Sequence, residues 1–213
     1  MKTVAFVPIK LNNQRLPNKN ILPLGNEPLC SYIFKTLLNV KSKGFIDEIY
    51  VFCSDEKIKD FISTDIKFLQ RDTALDGDLT IGIDIYQSFC NKIDADVYVL
   101  CHATSPFTTT DSLIKGIISI NNGYDSAFSC EKIQTFCWYK DRTLNYNFEH
   151  VPRTQDIEPI YIETSGFYIF TKDVINNNRR IGHNSNKIIV NKKEAVDIDY
   201  KEDYDLAVFF NNS

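Results

Sequence analysis

The chain has 213 residues, 43% hydrophobic and 24% charged, with 24 Lys and Arg against 28 Asp and Glu for a formal net charge of −4. That length makes one large domain or two small ones, and the composition is that of a globular chain, which excludes disorder. The acidic balance argues against a broad nucleic-acid or anionic-membrane surface but leaves room for one small basic site.

No apolar run approaches the roughly 18 residues of a membrane span. The apolar stretch in residues 1–8 is too short for a signal peptide, so a cytoplasmic protein is expected. Six cysteines (30, 53, 90, 101, 130 and 137) form no Cys-x-x-Cys pair and have no histidine at metal-ligand spacing. Several sit in apolar runs and read as buried, reduced thiols.

In chain order, residues 4–8 form a short β-rich run followed by a polar loop over 10–20. Residues 29–39 have helical spacing, with Ile33, Leu37 and Leu38 on one side and Pro28 at the start. Residues 48–53 read as a strand, ended by Ser54 and Asp55, which suit the cap of a helix over 56–62. A strand at 66–69, a helix at 80–93, a nearly continuous apolar strand at 96–102, a helix at 111–121 and a strand at 125–130 follow. Strands that look buried on both faces and alternate with helices predict a parallel sheet wrapped by helices.

The pattern changes after residue 130. Phe136, Trp138 and Tyr139 cluster within polar, turn-rich sequence, which reads as a β-arm or subunit contact. Residues 166–170 and 188–190 return to strand character, and 203–210 close the chain as a helix. With no repeat and no linker, one α/β domain over 1–213 with an inserted arm at about 131–165 is the simplest organisation.

Chemistry concentrates first in the loop after the first strand. Lys10, Arg15 and Lys19 lie within ten residues, at the strand end where open α/β sheets bind ligands. Backbone N–H groups plus Lys and Arg suit a triphosphate, although a solvated basic loop has the same composition. Neither a P-loop nor a Gly-x-Gly-x-x-Gly fingerprint is present.

The order Pro8-x-Lys10, Arg15-Leu16-Pro17-x-Lys19-Asn20 and Leu22-Pro23-Leu24-Gly25-x-x-Pro28-Leu29 resembles the opening of the cytidylyltransferases that activate nonulosonic acids. These are the CMP-sialic acid synthetases and their legionaminic and pseudaminic relatives, with CMP-Kdo synthetases further off. The likeness continues through Cys53-Ser54-Asp55, Arg71, Asp76-Gly77-Asp78, Ala103-Thr104-Ser105-Pro106, Arg153-x-Gln155-Asp156 and Asp197-Ile198-Asp199. It implies a Rossmann-like, three-layer nucleotidyltransferase domain joining CTP to an acidic sugar with Mg²⁺, for surface glycan synthesis. It also implies that the arm crosses to a second subunit in a two-fold dimer and helps complete the neighbour's site.

By that resemblance Lys10, Arg15 and Lys19 hold the phosphates and the leaving pyrophosphate. Transfer at phosphorus is mostly positioning and electrostatics, so concentrated positive charge is what it needs. Lys10 stands where these enzymes usually carry Arg, keeping the charge but losing the bidentate fork. Arg71, Asp78, Asn20 and Ser54 fall on the nucleotide side, Asp78 being equally suited to a helix cap. His102 replaces a Gln used on the acceptor, and with Thr104, Ser105, Arg153, Gln155 and Glu163 it makes up the acceptor side. His150 and His183 read as surface residues.

Asp197 and Asp199 alternate along residues 196–200, so on a strand both carboxylates share a face. A divalent cation also bound to phosphates would relieve their repulsion; an exposed acidic strand end has the same pattern. Asp203 reads as the cap of the last helix rather than a ligand. The acceptor stays open between a nonulosonic acid, giving a CMP-sugar, and a phosphorylated sugar, polyol or small metabolite, giving a CDP product. A catalytically silent nucleotide-binding subunit is a third alternative.

Overall fold

The computed structural model describes residues 1–212. Seven strands form one sheet, and they are taken here in chain order with the elements between them. Strand β1 is Thr3–Ile9, followed by a small hairpin of β2 (Pro23–Leu24) and β3 (Glu27–Pro28) that leads into helix α1 (Leu29–Ser42). Then come β4 (Glu48–Cys53), β5 (Lys67–Gln70), α2 (Gly82–Cys90), β6 (Val97–Cys101), α3 (Thr110–Asn121) and β7 (Ser126–Ile133). A second hairpin, β8 (Trp138–Tyr139) with β9 (Arg142–Thr143), precedes the long β10 (Ile160–Thr171), α4 (Lys172–Asn176), β11 (Ser185–Ile189) and α5 (Lys201–Asn212).

The sheet order is β11-β7-β10-β6-β1-β4-β5. All neighbouring pairs are parallel except those of β10, which runs antiparallel to both β6 and β7. The predicted mostly parallel α/β fold is therefore the observed one. Alternate residues of each central strand feed opposite cores. Ala5, Val7, Val99 and Cys101 join the cluster under α1 and α3, while Val4, Phe6, Tyr98 and Leu100 face α2 and α4. Phe6 stacks on Phe89 of α2 with ring centroids 4.1 Å apart. Both faces are covered, which is why these strands read as continuous apolar runs.

The expected strand at 166–170 extends over Ile160–Thr171 as β10, other ends shift by a few residues, and three further differences bear on the site. Residues 56–61 form a 3₁₀ helix, capped by the Asp55 carboxylate accepting from the Lys57 N–H at 3.0 Å; one short turn does not propagate to an α-helix. Helix α2 begins at Gly82 rather than Thr80, because Ile81 is extended (φ −89°, ψ 153°) and the 77–81 turn stays free of the helix. Residues 196–200 belong to no strand. The segment is extended all the same, with Val196 and Ile198 buried and Asp197 and Asp199 half-buried on the other side. The Ile198 N–H donates to the Thr104 carbonyl at 2.9 Å, tying this segment to the end of β6.

The third apolar cluster joins Leu24, Leu29, Val196, Ile198 and Ala207, docking α5 beside the first loop. Asp203, third residue of α5, accepts from the N–H groups of Asp199 (3.0 Å) and Tyr200 (2.8 Å). This backward reach is half of a capping box and fixes the turn that presents Asp199. All six cysteines are unpaired; burial raises the thiol pKa of Cys30 and Cys90 to about 12, which keeps both protonated.

Candidate active site

A cavity of about 410 Å³ opens at the carboxyl ends of β1, β5 and β6, lined by Lys10, Arg15, Lys19, Arg71, Asp78, Tyr86, His102 and Asp199 among others. Residues spread over 190 positions thus share one wall. A second cavity of about 540 Å³ adjoins it, with Glu131, Glu163, Thr164, Ser165, Lys192, Asp197 and Asp203 in its walls. The two meet along the 197–199 segment, whose first aspartate faces the second cavity and whose last faces the first.

Each cation of the first loop is held by an oxygen. Lys10 Nζ donates to the Asp76 carbonyl at 2.5 Å. Lys19 Nζ reaches Asp199 Oδ1 at 2.7 Å and the Ile198 carbonyl at 2.8 Å, and Arg15 Nη1 reaches Asp199 Oδ2 at 3.1 Å. Partial burial opposes ionisation of Asp199, but the Lys19 hydrogen bond and the charges of Lys19 and Arg15 outweigh it and hold its pKa below the ordinary aspartate value. The loop is fixed from behind by Asn20, buried, whose amide donates to the Lys10 carbonyl at 2.8 Å.

Arg71 is the largest of the fully buried side chains, 2% exposed. It pairs with Asp76 (2.6 Å) and donates to the Phe52 carbonyl, while its Nε has no partner within the protein. A buried donor without a partner at a cavity wall is suited to a ligand acceptor. Across the opening, the Gln14 amide donates to both oxygens of Asp78 at 2.9 and 3.1 Å, so the two loops meet at the rim.

His102 ends β6. Its Nδ1 lies 2.5 Å from the Ser165 carbonyl, which can only accept, so Nδ1 carries the proton. Nε2 of the neutral ring then accepts from the Tyr86 hydroxyl at 3.3 Å. Burial depresses the ring's pKa, and the positive charges of Arg180 and Lys19 add to this, outweighing Ser165 and Asp197. Ser165 sits at φ +58°, where the β10 register with β7 shifts between Glu163 and Tyr168. The Ser129 hydroxyl takes up the freed ladder, accepting from Phe167 N–H at 3.1 Å and from Thr164 Oγ1 at 2.8 Å.

Of the residues singled out in the sequence, Lys10, Arg15, Lys19, Arg71, Asp78, His102 and Asp199 line the first cavity, and Glu163 and Asp197 the second. Thr104 and Ser105 stand behind the wall between them: Thr104 holds Ile198, and the fully buried Ser105 donates to Asp197 Oδ1 at 3.4 Å. Ser54 lies aside, its carbonyl accepting from Gln70. Arg153 and Gln155 are not brought to either cavity. Arg153 is ion-paired with Asp156 in a 3₁₀ turn of the 134–159 segment, and the Gln155 carbonyl accepts from Gln134. Sequence reasoning missed Tyr86, Tyr168 and Arg180. The tyrosines read as core, and Arg180 sits in a polar turn with no signal beyond its charge.

A family model described as Cytidylyltransferase matches residues 4–208. The chain is 24% identical over 226 residues to a pseudaminic acid cytidylyltransferase of Campylobacter jejuni, covering 97% of this chain and 95% of that protein. It is 27% identical over 183 residues to an N-acylneuraminate cytidylyltransferase of Oncorhynchus mykiss, covering 80% of this chain and 41% of the relative. Among solved structures, a CMP:2-keto-3-deoxy-manno-octonic acid synthetase complexed with CTP superposes with a TM-score of 0.73 at 13% identity, covering 99% and 98% of the two chains. A 4-diphosphocytidyl-2C-methyl-D-erythritol synthase from Anaerococcus prevotii reaches 0.70 at 12% identity, covering 100% and 99%. At these identities the structural likeness speaks for the fold.

Proposed function

The chain belongs to the cytidylyltransferase family and is a CTP-dependent nucleotidyltransferase, and on that premise we propose that it transfers CMP from CTP to a nonulosonic acid with release of pyrophosphate. The curated relatives that match along the chain are named for pseudaminic and N-acylneuraminic acids, which supports an acceptor of that class. One observation carries the reading. Lys10, Arg15 and Lys19 converge with the buried Arg71 on a single cavity at the strand ends.

Three of these cations make a cradle for a triphosphate, and the developing charge on pyrophosphate strengthens each contact as the bond to it breaks. Binding exchanges partners: Lys19 and Arg15 leave Asp199 for phosphate oxygens. Arg71, with a donor to spare, serves the nucleotide side with Asp78. On the acceptor side the neutral His102 ring, its tautomer fixed by Ser165, positions the attacking hydroxyl with Glu163.

Asp197 and Asp199 would hold Mg²⁺. Both carboxylates are half-buried on one side of an extended segment, Asp197 towards the second cavity and Asp199 towards the first, and each offers hard oxygens. Such a pair fits a Mg²⁺ that takes its remaining ligands from phosphates and water. When bound, the ion neutralises charge on the triphosphate. The same reading places the enzyme in the cytoplasm, serving surface glycan synthesis, as a homodimer. The 134–159 segment, with Trp138, Tyr139, Leu144, Phe148 and Val151 all exposed, is its contact.

The test is pyrophosphate release with Mg²⁺, each nucleoside triphosphate in turn, and a panel of sialic, legionaminic and pseudaminic acids beside phosphorylated sugars and polyols. CTP with a nonulosonic acid should give a product of CMP-sugar mass, with UTP, ATP and GTP much slower. Equal rates with UTP, or a CDP product from phosphorylated acceptors alone, would overturn the reading.

A further inference from the structure

We propose that Arg180 receives the carboxylate of the acceptor sugar, and that Glu163 is the internal anion it gives up when the sugar binds. This deepens the reading above and rests on it.

Arg180 lies in the turn between α4 and β11, 17 residues from Glu163. Its guanidinium carbon sits 4.1 Å over the Tyr168 ring, and its Nη2 donates to Glu163 Oε2 at 3.0 Å. The same carboxylate oxygen accepts from the Tyr168 hydroxyl at 2.8 Å. The positive charge of Arg180 also acts on Tyr86, whose hydroxyl bonds His102 Nε2. Arg180 lines neither cavity itself but stands behind their walls, bonded to Glu163 of the second and close to Tyr86 of the first. A stacked guanidinium is held in plane, so its fork is aimed before any ligand arrives.

Charge makes the assignment specific. The second cavity presents Glu131, Glu163, Asp197 and Asp203 against Lys192. An anionic sugar approaching that wall is repelled unless a cation meets its carboxylate at the Glu163 end. Within one chain Arg153, the cation that family resemblance brings to the acceptor, is ion-paired with Asp156 in the segment proposed to contact a second copy, so Arg180 is the cation this chain supplies to its own acceptor side. Arg180 stands over Tyr168, whose ring lies 6.2 Å from that of His102 and whose hydroxyl bonds Glu163. Its side chain and that of Glu163 are 39% and 43% exposed, so the pair opens to solvent and can exchange one carboxylate for another without unpacking the core.

The experiment compares N-acetylneuraminic acid, or pseudaminic acid where that turns over faster, with the methyl ester of the same sugar, which lacks the charge. Wild type should favour the acid at least tenfold in kcat/KM. Arg180→Gln should raise KM for the acid tenfold or more, leave KM for CTP within twofold, and erase the preference over the ester. Arg180→Lys, which keeps the charge and loses the fork, should raise the acid KM a few-fold with the ester unaffected, and Glu163→Gln should keep the preference for the acid. An unchanged acid-to-ester ratio in Arg180→Gln, or in Arg180→Lys should the first variant fail to fold, overturns the assignment. Wild-type turnover of a phosphorylated sugar and of no nonulosonic acid would instead overturn the functional reading. Such an acceptor offers no sugar carboxylate for Arg180 to receive, so that result would take this proposal with it, whereas an unchanged acid-to-ester ratio would sink the proposal and leave the functional reading standing.

Discussion

The Nδ1 of His102 lies 2.5 Å from the carbonyl oxygen of Ser165, a non-glycine residue held at φ +58°. An irregularity in one strand thus sets the proton and orientation of the imidazole at the end of its neighbour. The left-handed backbone costs an L-residue roughly 1–2 kcal/mol, more where the side chain is β-branched. Ser165→Val should therefore be less stable than Ser165→Gly by about that amount in thermal or urea unfolding. Equal stability of the two would show that the bulge relaxes freely.

His102 also gives a pH signature. Its pKa is depressed in the fold, chiefly by burial, so the native ring stays neutral where the unfolded chain, titrating near 6.5, takes up a proton. Stability is then fully present above that value and is lost as pH falls below it. Melting temperatures from pH about 7.5 to about 5 should fall more steeply for wild type than for His102→Gln. Parallel curves would remove His102 from the linkage.

Asp199 is bound by both Lys19 and Arg15 and is 45% exposed as a side chain. Asp199→Asn removes a proposed metal ligand and the partner of two phosphate cations, so turnover should drop roughly 10²-fold or more. The Arg15 pair is exposed and contributes little, while Lys19 is largely buried but keeps the Ile198 carbonyl as a partner, so stability should change by roughly 1–2 kcal/mol at most. Asp197→Asn should behave alike. Rate and melting temperature measured on the same samples decide it, since losses that track unfolding would make both residues structural.

Trp138 and Phe148 are 59% and 65% exposed in the single chain. If the segment that carries them joins two copies, wild type should sediment at twice the chain mass at micromolar concentration. Trp138→Asp combined with Phe148→Asp should sediment as a monomer. A wild-type monomer with full activity would remove the dimer.

Much of this was legible in the residues alone. Strand–helix alternation with both strand faces apolar determined the α/β class, since side-chain direction alternates along any strand and each face needed its own core. The loop cations were legible because Lys10, Arg15 and Lys19 are close in sequence. That Asp197 and Asp199 leave the buried side together was legible because alternation survives in an extended segment that joins no sheet; that they line different cavities was not. Family resemblance supplied the cytidylyltransferase chemistry.

Tertiary structure decided what depends on contacts between distant residues or on the sign of one backbone angle. Lys19 meets Asp199 across 180 positions, and Gln14 meets Asp78 across 64. No local pattern encodes such pairs, because docking of α5 and of the 77–81 turn creates them. Nothing in Glu163-Thr164-Ser165-Gly166 announces that Ser165, rather than the adjoining glycine, takes the positive φ. That choice follows from the Ser129 hydroxyl and the reversed direction of β10 in an otherwise parallel sheet. Arg153 carried a family motif yet lies in the 134–159 segment, while Arg180 carried none and stands beside His102. Position in a motif reports ancestry, whereas a charge acts through the distance and dielectric that only the folded chain determines.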